Sequence, residues 1–255
     1  MVEVVTAALE DQLIDPLSFR LTKTASYITK RRSCTFHPQG SNIYHPTTGT
    51  KLIKILLSGT DWLDPSTFRI MFDLKNDNGA ANHNIYPVGG PWGFFSRMRI
   101  LVGGQVIEDI DNYNRVHEMF QVFSATDSRE NDYAEGFANY WRALHDPRGL
   151  LVTADTLVRI PPSSHMTVMF KPVAGLFQSV RKYLPLQFMR ITIELSLVDN
   201  PLDPIITQGD RPGEGAIANG LYTDVASVSC SILNVQAKCD LVTLDNSFEV
   251  YSHCQ

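Results

Sequence analysis

Alternation of apolar and polar side chains along several short segments is the feature that most restricts how this chain can fold. A period of two sends successive side chains to opposite faces of a strand, so each such segment has one face for a core and one for water. The clearest case is 187–198, where Met189, Ile191, Ile193, Leu195 and Leu197 share one face and Phe188, Arg190, Thr192, Glu194 and Ser196 the other. Phe68, Ile70, Phe72 and Leu74 alternate with Arg69, Met71, Asp73 and Lys75, and Met166, Val168 and Phe170 with Thr167, Met169 and Lys171; Ile53, Ile55 and Leu57 extend the set. Strands that cannot bury an apolar face alone close on one another as a sandwich.

The punctuation between these segments supports the same reading. Gly103-Gly104 separates two β-rich runs within RMRILVGGQVIEDI, and two glycines supply the positive φ angles of a tight hairpin turn. Between 226 and 244 the apolar positions change parity, from Val228, Cys230 and Ile232 to Leu233, Val235, Ala237, Cys239 and Leu241, which predicts a β-bulge or a change of sheet. Helical spacing follows the hairpin: Val116, Phe120 and Phe123, joined by Met119 and Val122, form one stripe, with Asp111 or Asn112 as N-cap. A second helix over 128–141 is weakened by Asn131, Gly136 and Asn139. Dense proline and glycine at YPVGGPWGF, at Pro161-Pro162 and over 200–220 mark long loops. The pattern is all-β: a jelly-roll β-sandwich with long loops and one or two short inserted helices.

At 255 residues the chain can bury about three quarters of its unfolded surface. The formal net charge of −5 removes any broad attraction for phosphate backbones but leaves room for a local basic patch. Cys34, Cys230, Cys239 and Cys254 lack CxxC spacing and read as free thiols of a reducing compartment. The N-terminus has acidic residues and no secretion-signal pattern, and no apolar run is long enough for a spanning helix.

Candidate chemistry is thin. His37, His45, His83, His117, His145, His165 and His253 are scattered without HxH or HExxH spacing, and no GxSxG elbow is present. Glu108, Asp109 and Asp111 lie in a stretch, DIDNYN, that loosely echoes a calcium loop, but it lacks the turn glycine and the twelfth-position glutamate, and capping explains the acids. GDRPGEG, 209–215, lacks the strand, helix and lysine of a phosphate cradle. No catalytic residue, metal site or cofactor is expected.

Two signals concern partners. Lys30, Arg31 and Arg32 form a compact basic run, read either as an inner surface touching DNA or as a solvated edge that discourages sheet-to-sheet association. Trp92, Phe94 and Phe95 in one loop region and Phe177 and Tyr183 in another break the alternation; they read as subunit contacts or as plugs for the open ends of the sandwich.

Three stretches resemble the major capsid proteins of polinton-like viruses and related virophage-like (Maverick) elements: FFSRMRILVGGQVIEDIDNYNRVHEMF over 94–120, the region 163–199 with MTVMFKPVAGLF and KYLPLQFMRITIELSLVD, and LSGTDWLDPSTFRIMFDL over 57–74. The resemblance implies two eight-stranded jelly rolls per subunit, a trimeric capsomer of self-assembling copies beside other capsid proteins, a virion location after synthesis in the host cytoplasm or nucleus, and a shell around a DNA genome. At its length the chain is expected to represent the N-terminal jelly roll alone, with an arm at 1–25, the jelly roll at 26–244 and, at 245–255, the start of a crossover to a second. The face that meets that second sandwich would then turn to water, another copy or a separate partner. A competing reading is a lectin-like carbohydrate-binding sandwich stacking sugars on Trp62, Trp92 or Trp141. A cupin-like enzyme would need clustered metal ligands, which the sequence does not offer.

Overall fold

The structure, a computed structural model, describes residues 28–47, 49–79, 84–87, 89–123, 160–178, 182–201, 203–207 and 229–244. Residues 32–241 form one compact unit, and 1–31 with 242–255 form another, in which Thr29 Oγ1 donates to the Thr243 carbonyl at 3.1 Å. The expected second helix at 128–141, the loop at 209–215 and the crossover at 245–255 lie outside the described residues.

The strands are β1 (Ile28–Phe36), β2 (Ile43–Tyr44), β3 (Leu52–Leu57), β4 (Trp62–Asn76), β5 (Ile85–Pro87), β6 (Phe95–Val102), β7 (Gln105–Asp111), β8 (His165–Phe170), β9 (Leu184–Pro185), β10 (Ile191–Leu197), β11 (Ile205–Thr207) and β12 (Cys230–Leu244). Helix α1 (Tyr113–Phe123) follows β7 and the single turn α2 (Gly175–Gln178) follows β8. One sheet has the order β1-β12-β4-β8, extended by β2 on β12 and β9 on β4; the facing sheet has the order β3-β10-β6-β7. Counting only those eight main strands along the chain, first pairs with last, second with seventh, third with sixth and fourth with fifth. That nesting is a long antiparallel ribbon rolled over on itself, the jelly roll the alternation predicts.

The alternating residues sit where their parity requires. Ile53, Ile55, Leu57, Phe68, Ile70, Phe72, Leu74, Phe170, Ile191, Ile193 and Leu195 are fully buried. Phe72 of one sheet meets Phe95 of the other edge to face, centroids 5.6 Å apart, a preferred geometry for aromatic pairs in a sandwich core. In β4 the parity slips between Leu63 and Phe68, both buried; Pro65 brings no N–H to the ladder, and Asp64 Oδ1 accepts from the Ser66 N–H and hydroxyl. In β12 the predicted slip falls at Asn234, held at φ +51°, whose Nδ2 donates to Asp73 Oδ2 at 2.7 Å. An asparagine tolerates this left-handed backbone, and its side chain ties the bulge to β4. The β6–β7 turn carries Gly103 at φ +58° and Gly104 at +89°, the two positive values of a type I′ hairpin.

Helix α1 departs from expectation. Its buried residues are Tyr113 and His117, one turn apart, whereas Met119, Phe120, Val122 and Phe123 of the predicted apolar stripe are exposed. Polar tips with main-chain partners explain the choice: the Tyr113 hydroxyl accepts from the Val173 N–H at 3.0 Å, and His117 Nε2 lies 3.1 Å from the Lys171 carbonyl. Large rings can be buried when their polar atoms are bonded, and hydropathy alone does not see those partners. At the helix start the Asn112 carbonyl accepts from the Arg115 and Val116 N–H groups.

Candidate assembly surfaces

The loop aromatics expected at subunit contacts are mostly core. Trp92, in a 3-10 turn over Pro91–Phe94, is 5% exposed; it stacks on His117 with centroids 4.0 Å apart, and its Nε1 donates to Glu118 Oε2 at 2.9 Å. A Cβ on Gly90 would fall 2.2 Å from the Trp92 ring, so that close approach requires glycine. Phe94 and Phe95 pack edge to face on Phe72, and Phe177 stacks on Phe68 with centroids 4.2 Å apart. All three are buried, so the subunit-contact expectation is corrected for Trp92, Phe94, Phe95 and Phe177: their surface is spent inside this chain. Tyr183 alone of the five remains on the surface, at 36%. The buried Trp92 also has no free face for a sugar; Trp62 is half-buried, and Trp141 lies outside the described residues.

Other apolar side chains take up the exposed role. Val106 and Ile107 on β7, Met119 and Phe123 on α1, and Phe188 are 44%, 52%, 50%, 79% and 63% exposed. β7 ends its sheet's order among the described residues, so Val106 and Ile107 sit on an edge strand, the place where a second chain can add. Two grooves flank α1. One of about 540 Å³ has Gly89, Gly90 and Trp92 opposite Arg115, Glu118 and Met119, and one of about 620 Å³ includes Glu108, Val116, His117, Phe120 and Lys171. Three of their ionisable groups are tied into the structure: Glu118 holds Trp92, Glu108 accepts from the Gly175 N–H at 2.8 Å, and His117 is buried, which holds its pKa down to about 4.

The hairpin acids have structural partners. Arg97 forms a two-pronged contact with Asp109, at 2.8 and 2.7 Å, and its Nε reaches Asp111 Oδ1 at 3.1 Å. The hydrogen bond from Arg97 is the main cause holding the Asp109 carboxyl below its ordinary range. On the outer face of this sheet Lys54, Glu194, Arg99 and Asp109 stand directly opposite one another across β3, β10, β6 and β7. Their signs alternate, and Glu194 is held by Lys54 at 3.2 Å and Arg99 at 3.1 Å. Glu194→Ala is expected to lower the unfolding free energy by about 2 kcal/mol, because hydrogen bonds to a largely buried charge are lost. Lys54→Ala should cost under about 1 kcal/mol, since that partner is exposed. Urea denaturation of the two variants checks the ranking.

Lys30, Arg31 and Arg32 are all exposed on β1, and Arg32 Nη2 bonds Asp61 Oδ2 at 2.6 Å. Cys34, Cys230 and Cys239 are free, and burial pushes the Cys230 and Cys239 thiols up to about 12. Among the described residues no group of three or more His, Cys, Asp or Glu could hold a metal ion, and no helix is long and apolar enough to cross a membrane.

Taken together, the nested strand order defines a jelly-roll β-sandwich with apolar side chains displayed on an edge strand and on an inserted helix. The structure is similar in fold to chains from two solved viral structures. A chain in the cryo-EM structure of the Sputnik virophage matches with a TM-score of 0.54 at 9% identity, covering 90% of this chain and 51% of the other. The Faustovirus major capsid protein matches with a TM-score of 0.50 at 10% identity, covering 93% of this chain and 59% of the other. At these identities the likeness is one of fold, and the chain spans a little over half the length of these two. Neither a protein-family model nor a curated protein matches the sequence.

Proposed function

We propose that this chain is a structural protein of a viral shell, which self-assembles through its loops and edges and performs no chemistry. The observation that carries this reading is the nested jelly-roll pairing, in a chain whose fold matches a chain of the Sputnik virophage and the Faustovirus major capsid protein over nine tenths of its length. For such a protein function is geometry: a rigid sandwich forms wall, and apolar side chains at its margins are covered by neighbouring copies. Ile107, Met119, Phe123 and Tyr183 are the residues offered to those neighbours. The proposed assembly is a trimeric capsomer in a virion, beside other capsid proteins, with Lys30, Arg31 and Arg32 on an inner face toward DNA.

Sedimentation of the purified chain over a range of concentrations tests this. A concentration-dependent oligomer is expected, shifted towards monomer by Ile107→Asp with Phe123→Asp while the thermal unfolding midpoint of the subunit holds. A wild-type chain that stays monomeric throughout, or a double variant with an unchanged distribution, removes the proposed surface.

A further inference from the structure

The outer faces of the two sheets treat charge in opposite ways. On the β3-β10-β6-β7 sheet, cations and anions alternate from strand to strand. On the other sheet, Arg69 of β4 lies one step beyond the Ile70↔Phe170 pair, which brings it opposite Lys171, just past the end of β8. Across the β12–β4 boundary, the Asp240 N–H donates to Thr67 Oγ1 at 2.9 Å and Asn234 Nδ2 donates to Asp73 Oδ2 at 2.7 Å. Counting inward from either contact puts Lys238 opposite Arg69. Lys238, Arg69 and Lys171 therefore form one cationic row across three adjacent strands, about 10 Å long at the usual strand spacing.

Like charges directly opposite one another destabilise a sheet, so the row needs compensation. Within the chain that compensation is partial: among the described residues none of the three forms an ion pair. Only Nη1 of Arg69 is seen engaged, by the Ser66 and Phe68 carbonyls. Asp64, which caps the Ser66 N–H, favours the charged form of Lys171 at a distance, and Asp240 stands two residues along β12 from Lys238. Asp73, two rows away, is committed to Thr167 and Asn234. Burial is the main cause lowering the Lys171 pKa; the charge of Arg69 adds to it and that of Asp64 opposes it.

We propose that the row Lys238, Arg69 and Lys171 is a strip that binds the phosphate backbone of nucleic acid without reading sequence. A flat, half-buried row of fixed cations on a rigid sheet, lining neither groove as a set, suits a repeating polyanion better than a small enclosed ligand. The inference stands apart from the assembly surface, which involves other residues, so either can fail alone.

The test uses the full chain and a short labelled DNA duplex, with binding followed by fluorescence anisotropy across a salt titration. Each phosphate contact adds about 0.9 to the slope of log affinity against log salt. Lys171→Gln with Lys238→Gln should flatten the slope by about 1.8 and weaken binding about tenfold at low salt. Arg69→Lys, which keeps the charge, should retain the slope, and Lys54→Gln on the other sheet should leave binding unchanged. Cooperative thermal unfolding of each variant establishes that it remains folded. The strip is overturned if the wild-type chain fails to bind the duplex at low salt, or if the double variant binds with an unchanged slope. Unchanged DNA binding with altered sedimentation would also overturn it, and would assign the row to carboxylates of a second copy.

Discussion

Phe177→Ala should lower the unfolding free energy by about 4 kcal/mol, the upper range for removing a buried aromatic ring. Phe177 has no exposed surface and lies flat on Phe68, with an interplanar angle of 7°. It is also the buried residue of α2, a helix of four residues that cannot sustain itself without tertiary support. Losing the ring therefore opens a cavity against β4 and releases the turn that Glu108 caps. Urea denaturation gives the magnitude. If the variant were as stable as the parent and only its sedimentation changed, the ring would belong to a subunit contact and the core assignment would be wrong.

His117 makes stability depend on pH. Its folded pKa of about 4 lies below the ordinary 6.5, because burial between Trp92 and Phe170 disfavours the charged ring and outweighs the bond to Lys171. That bond requires the proton on Nε2, and Nδ1, the remaining acceptor, has no hydrogen-bond partner. Between pH 6.5 and 4 the unfolded chain binds a proton that the folded chain refuses. The contribution is thus fully present above pH 6.5 and is lost as pH falls towards 4, by about 3 kcal/mol in all. His117→Phe preserves a ring against Trp92, gives up about 1 kcal/mol for the Lys171 carbonyl at neutral pH, and removes this part of the acid sensitivity. Denaturation at pH 7 and 4.5 should show a smaller loss in the variant than in the parent. Equal losses would mean that His117 is not the group that titrates.

These two residues also show where sequence reasoning stops. Parity located the inward faces of β3, β4, β8 and β10 because a strand has only two faces and water selects between them. A helix has no such binary choice. The apolar stripe on α1 was legible, but its direction depended on whether Tyr113 and His117 could satisfy their polar atoms, and the partners, Val173 and Lys171, arrive from far along the chain. Trp92 and Phe177 were legible as breaks in the alternation. Whether such a ring caps its own sandwich or meets a neighbour depends on Glu118, His117 and Phe68, which no spacing rule connects to it.

Local chemistry thus determined the strands, the glycine hairpin and the parity slip in β12, since each depends on side-chain alternation or on backbone angles within a few residues. Tertiary structure alone decided that four expected contact aromatics are core, that the helix shows its apolar side outward, and that three cations from distant segments share one row. Those outcomes arise from burial and charge between residues brought together only when the ribbon rolls up, and nothing local encodes their distances.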